Sequence, residues 1–305
     1  MMHQVKPIPS AKKESRNLFI TVWLNFGIAI AELIGGFFSN SLALISDALH
    51  NLSDATAMLI TYIALKISKK DATKKHTFGY KRIQILAALF NAVTLIGICI
   101  FLIGEAYERF LNPESVKATP MLIVATIGLI ANLISVLLLR RFSAGNLNIK
   151  AAYLHLIGDT LSSVAVIVGA LLMMYFQWHW VDPLITVLIS LYIIKETYHV
   201  LAETYQILMQ SAPKHVKLDE VSNFIRQLAG VSDVHHVHLW SLTDQQIHFE
   251  AHIELQHDMK VSESQLICEM ISRELKANFG IQHVTLQSEI AFCSDKELIV
   301  KNETK

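Results

Sequence analysis

Apolar residues in this chain come in long runs, and six of them reach the roughly 20 residues that a helix needs to cross a hydrocarbon core. They are Leu18–Phe38, Leu42–Ile67, Ile83–Ala106, Thr119–Leu139, Ala151–Phe176 and Trp180–Met209. Several exceed the minimum, which predicts tilt or protrusion into water. The polar stretches between the runs differ in charge. Lys6, Lys12, Lys13 and Arg16 precede the first, SKKDATKKHTFGYKR joins the second to the third, and Arg140, Arg141 and Lys150 lie between the fourth and fifth. The alternate loops FSNS and FQWHW carry no lysine or arginine, and YERFLNPESVKA carries one of each. Lysine and arginine gather on the cytoplasmic side of a membrane, so both termini are expected there.

Past Met209 the pattern changes to that of a water-soluble domain. Val216–Ala229 repeats its apolar residues at a helical period and meets Gly230; Asp233–Leu242 reads as a strand. Ile247–Leu255 alternates strictly, with His248, Glu250, His252 and Glu254 on what should be a solvated face. Ser262 and Gln265 make a capping box before a second helix, Gly280 closes it, and Ile281–Ile290 is a third strand. The expected fold is thus an α-helical membrane protein of six transmembrane helices followed by a cytoplasmic α+β ferredoxin-like (αββαβ) domain. Its boundaries are a cytoplasmic N-terminal segment over 1–16, the membrane domain over 17–209, the cytoplasmic domain over 210–291 and a flexible tail over 292–305.

Composition agrees: 52% of the 305 residues are hydrophobic and 17% charged, against about a quarter charged in soluble domains. The 26 basic and 26 acidic residues cancel, which gives no indication of nucleic acid. Cys99, Cys268 and Cys293 have no ligand-like spacing and imply no disulfide framework. MMHQVKPIPSAKKESR is too polar for a cleaved signal, so the first run is expected to remain as a span.

The costly residues are in the second and fifth runs. SDALHNLSD places His50 and Asp54 on one helix face at i,i+4, and YLHLIGDT does the same with His155 and Asp159. The two helices run antiparallel by count, so two such faces can present two imidazoles and two carboxylates to one point. That donor set suits a tetrahedral, borderline divalent ion, zinc before others, while magnesium and calcium prefer all-oxygen shells. Each carboxylate costs ~2.5–3.5 kcal/mol at a helix centre, which a divalent ion or a pair of protons would offset. One site accepting either is the logic of an exchanger. Asp47, one turn before His50, reads as an orienting partner or proton relay. Glu32, Asn25 and Asn132 read as helix–helix hydrogen-bonding groups, and Asp182 as an acid at the outer interface, where its charge costs little.

SLALISDALHNLSD, HTFGYKRIQILAA, NLNIKAAYLHLIGDTLSS and VHHVHLWSL together resemble the cation diffusion facilitators, the zinc-exporting branch in particular. The resemblance extends from about Asn17 to Ile290. It implies a homodimeric, proton-coupled antiporter that exports Zn2+ by alternating access, with His50, Asp54, His155 and Asp159 as its metal site and cadmium or cobalt as further substrates. It also implies a bacterial inner membrane and regulatory zinc in the cytoplasmic domain on His235 and His252, with Glu289 or Gln287. His236, His238 and His283 are weaker candidates, and Trp240 reads as packing. The loop before the fifth run has no histidine, and the loop after the second has only His76, so neither is expected to hold metal. An enzyme is not expected: there is no HExxH, and four protein ligands leave no place for a catalytic water. A metal sensor without transport would share the same ligands.

Overall fold

The computed structural model describes residues 11–140 and 147–291, together with 293 and 296–299. Lys6 and Arg141, two of the charges used above for orientation, and most of the tail lie outside the described residues. Six long helices come first: α1 (Ala11–Ser39), α2 (Leu42–Ser68), α3 (Ile83–Leu111), α4 (Ala118–Arg140), α5 (Leu147–Phe176) and α6 (Val181–Leu208). Four described stretches are long and apolar enough to cross a membrane: Ile83–Leu111, Ala118–Leu138, His155–Phe176 and Val181–Leu208. Trp23–Ser39 is a shorter apolar stretch. In α2 the apolar run is broken by Asp47, His50, Asn51 and Asp54.

The described chain forms two compact units, one from residues up to Ile63 with Phe90–Val200, the other from Ala64–Leu89 with the residues from Leu201 onward. In the first, apolar residues of α2 to α6 meet in one buried cluster that includes Leu44, Leu95, Met121, Val166 and Ile193. Large apolar side chains such as Phe90, Phe101, Ile130 and Leu188 point outward, as suits a surface facing lipid. Without a hydrophobic force between helices in lipid, close approach depends on small residues. A Cβ on Gly35 would lie 2.7 Å from Val124, and one on Gly158 would lie 2.7 Å from the Tyr192 hydroxyl.

The second unit carries α7 (Leu218–Arg226), β1 (Val231–Ser241), β2 (Ile247–Leu255), α8 (Val261–Phe279) and β3 (His283–Glu289). β1 and β2 form an antiparallel hairpin, and β3 returns parallel to β2, giving the order β1-β2-β3. Val234, Phe249, Ala251 and Ile253 from the sheet pack on Ile225 of α7 and Ile271 and Leu275 of α8. α7 places Asp219 and Glu220 in its first turn and Arg226 in its last, each complementing the helix dipole.

Three details depart from the pattern of the sequence. α8 is capped at Lys260, whose backbone N–H donates to Glu263 at 3.2 Å, so Ser262 lies inside the helix. The polar face of β2 is not uniformly solvated, because His248 and Glu254 are buried. Trp240 stacks on His248 with centroids 5.3 Å apart, and Lys296 holds Glu254 through contacts of 2.7 and 2.8 Å. The described part of the tail is fastened to the domain: His236 donates its N–H to the Glu297 carbonyl at 3.2 Å, Val237 to that of Leu298 at 2.8 Å, and the Leu298 side chain joins the core.

Candidate metal centre

α2 and α5 bring their histidine–aspartate faces together. His155 Nε2 lies 2.9 Å from Asp54 Oδ2 and 3.8 Å from Asp159 Oδ2, and His50 Nε2 lies 3.5 Å from both Asp54 Oδ2 and Asp159 Oδ1. The two rings meet edge-on at 5.6 Å. One ligand atom each from His50, His155 and Asp159 falls within 4.8 Å of the others, which is the spacing of donors around one ion. Asp54 stands at the edge of that set, hydrogen-bonded to His155. The burial is graded: the Asp159 side chain is 3% exposed and His50 9%, while Asp54 is 23% and His155 41%. An ion would therefore meet His155 and Asp54 at the open side and Asp159 and His50 at the closed side.

Deeper polar groups extend the site across four helices. Asp47 is buried; one of its oxygens accepts from the Ser163 hydroxyl at 3.3 Å, and the other has no hydrogen-bond partner among the described residues. Ser163 also receives the Asn132 amide at 3.3 Å, which ties α4 to α5. Asn51, beside His50, donates to the buried Glu32 of α1 at 2.9 Å. Glu32 fits because α4 offers Gly128 opposite it: a Cβ there would collide with the Glu32 carboxylate. Asn132 and Glu32 thus behave as expected of interhelical hydrogen-bonding groups; the Asn25 carbonyl oxygen has no hydrogen-bond partner among the described residues.

Asp182 requires a correction. It is fully buried and accepts hydrogen bonds from Ser41 Oγ at 2.5 Å, Leu42 N at 2.8 Å and Ala43 N at 3.3 Å. Ser41 in turn accepts from Leu44 N at 3.1 Å, as an N-cap does. A carboxylate from α6 therefore sits on the positive end of α2, the helix that carries His50 and Asp54. Its place beside the aromatic Trp178 and Trp180 suggested an acid at the outer interface whose charge costs little, but contacts about 140 residues away in sequence bury it.

In the cytoplasmic domain, strand pairing puts His235 opposite His252, and Gln287 beside His252. Of the two β3 candidates, Glu289 is the one in contact, 2.7 Å from His235 Nε2 and 3.2 Å from His252 Nδ1. Cys293 Sγ lies 3.5 Å from His252 Nδ1 and 3.4 Å from Glu289. His236 turns inward because a bulge follows His235 and its backbone takes φ 49°. Ligand atoms of His235, His236, His252 and Cys293 then fall within 4.8 Å of one another. Burial alone would raise the Glu289 carboxyl, but the Cys293 thiol and the two imidazoles hold it below the usual range. Cys293 was not a candidate because it lies far in sequence from the others, and His236 was only a weaker one, because it is the bulge after His235 that brings it to this face. His238 and His76 join no such cluster among the described residues.

Residues 18–209 match the cation efflux transmembrane domain, and residues 213–291 match the cytoplasmic domain of cation efflux proteins. The chain is 37% identical over 291 residues to a cadmium, cobalt and zinc/H(+)-K(+) antiporter of Bacillus velezensis, covering 94% of this chain and 93% of that protein. It is 40% identical to the cation efflux system protein CzcD of an Alcaligenes species, over 92% and 89% of the two chains. Similarity to the zinc transporter ZitB of Escherichia coli is 34% over 92% and 88%.

Proposed function

The chain belongs to the cation efflux family of membrane metal transporters, which are not enzymes, and from that premise we propose that it exports zinc in exchange for protons through His50, Asp54, His155 and Asp159. The observation that carries this reading is the convergence of His50, His155 and Asp159 within 4.8 Å, with Asp54 2.9 Å from His155. With both histidines neutral the empty site bears the charge of two carboxylates, which a divalent ion cancels. Two protons on the imidazoles cancel it as well, so either cargo crosses a low-dielectric region with little net charge. Asp47, in contact with Ser163 one helix turn from the site, serves as the proton relay. The two histidines favour zinc, with cadmium and cobalt as lesser substrates, since imidazole suits borderline ions.

The working protein is a homodimer with six spans, both termini in the cytoplasm and a ferredoxin-like cytoplasmic domain, placed in a bacterial inner membrane and moving zinc by alternating access. The αββαβ order with its hairpin and parallel return supports the domain assignment. The cluster of His235, His252 and Glu289 binds regulatory zinc, with Cys293 and His236 completing the donors; a thiolate and imidazoles favour zinc over hard ions. Zinc flux into proteoliposomes with an internal zinc indicator, with and without a pH gradient, tests the proposal. Flux that follows the gradient and is lost in Asp159→Ala supports it. Tight zinc binding without flux would identify a sensor instead.

A further inference from the structure

The segment joining α2 to α3 and the β2–β3 end of the sheet, both parts of the second unit, line an open cavity of about 630 Å³. Its lining brings together Lys69, Lys70 and Lys81 from the segment and His248 and His283 from the strands, against one acid, Asp71. Among the described residues, the three lysines form no ion pair. His248 is only 5% exposed, and its Nδ1 has no hydrogen-bond partner among the described residues. Its ring lies 4.6 Å from His283 and 5.5 Å, edge-on, from Phe78. Burial first, and then His283, Lys81 and Arg82, hold the imidazole below its usual pKa. Burial is the larger cause, and the neighbouring basic groups act in the same direction.

The sign of these charges disfavours a second metal ion, although two histidines lie close together: a divalent cation would face three ammonium groups. An anion answers all of them. The cavity exceeds what a halide fills and offers N–H donors from two sides, the pattern that holds the several oxygens of a phosphate group. We propose that this cavity binds a phosphate-bearing anion, held by Lys70, Lys81 and the His248 ring that lines it. The ligand is either the headgroup of an anionic lipid or a soluble phosphate. The positive segment would then do more than orient the protein in the membrane: through His248 the ligand would join the α2–α3 connection to the sheet.

The test uses the full chain in neutral detergent. Native mass spectrometry compares retained phosphatidylglycerol with phosphatidylcholine, and thermal unfolding is followed with added inorganic phosphate. Wild type is set beside Lys70→Gln/Lys81→Gln, which removes two lining charges, and Lys74→Gln/Lys75→Gln, which removes two charges of the same segment that do not line the cavity. The expected result is binding about thirtyfold weaker in the first variant and unchanged in the second. Selective retention of phosphatidylglycerol that inorganic phosphate does not displace identifies a lipid ligand; stabilisation by inorganic phosphate identifies a soluble one. Equal weakening in both variants, or no preference for either anion in wild type, would overturn the proposal.

Discussion

Asp182→Ala removes a buried carboxylate at which three donors are aimed, and the result should be a large loss of stability from one side chain. Ser41 Oγ and Leu42 N make close contacts at 2.5 and 2.8 Å, and Ala43 N a weaker one at 3.3 Å. A hydrogen bond to a charged group contributes about 1.5–3 kcal/mol, and leaving buried donors without an acceptor adds to the loss. The buried carboxylate itself carries a desolvation cost that alanine relieves, so the net is set near 3 kcal/mol rather than at the sum. At roughly 2–4 °C per kcal/mol for a domain of this size, the unfolding midpoint should fall by about 6–12 °C. Asp182→Asn keeps one acceptor oxygen and should fall by less than half as much. Fluorescence-monitored unfolding in detergent gives both numbers. The α2 N-terminus also sets the height of His50 and Asp54, so zinc binding should weaken in the alanine variant even below its melting point. A midpoint for Asp182→Ala equal to that of wild type would refute the view that α6 caps α2.

Three further outcomes follow from the same reasoning. His50→Asp replaces a borderline nitrogen by a hard oxygen, so zinc selectivity should relax toward cadmium or manganese in competition flux assays; unchanged preference would contradict the donor argument. Gly128→Ala should cost ~1–3 kcal/mol and disturb the Glu32–Asn51 contact, because the added methyl meets a carboxylate already fixed by hydrogen bonding; a neutral effect on the unfolding midpoint would show that α1 and α4 can part freely. Burial would raise Asp233, but the Arg226 guanidinium at 2.7 Å holds its carboxyl below the usual range. Its contribution is therefore full above the unfolded value of about 4 and is lost as pH falls through the lower folded value. Arg226→Gln should destabilise the cytoplasmic domain near neutral pH and converge with wild type in acid, by well under 1 kcal/mol for so exposed a pair. A difference that stays constant with pH would deny the pair any part in it.

The helices and the convergence of the two histidine–aspartate pairs were legible because both follow short periods: long apolar runs for the helices, and i,i+4 spacing for side chains on one helix face. His50, Asp54, His155 and Asp159 could be paired without knowing any distance, since each turn of helix fixes its own geometry. The sheet was legible for the same reason, through strict alternation in Ile247–Leu255. What failed was long-range or irregular. Asp182 was misread because its partners lie on another helix and its neighbours are aromatic. His236 reaches its cluster only through a bulge, which reverses the face that alternation assigns. Cys293 arrives from a tail whose composition gave no sign of order, and that tail is fastened by backbone hydrogen bonds that carry no side-chain signature. His248 seemed solvated on its strand, but Trp240, His283 and Phe78 cover it.

The central claim is that four intramembrane side chains hold zinc or protons in alternation. Counting protons released per zinc bound, by titrating weakly buffered protein in detergent, addresses it most directly. Wild type and His50→Gln/His155→Gln should share any release from the cytoplasmic cluster, so their difference isolates the membrane site. A wild-type excess of protons that grows as pH is lowered toward the histidine range, with weaker zinc binding in the variant, is the predicted result. Equal proton release and equal affinity in the two proteins would contradict the claim.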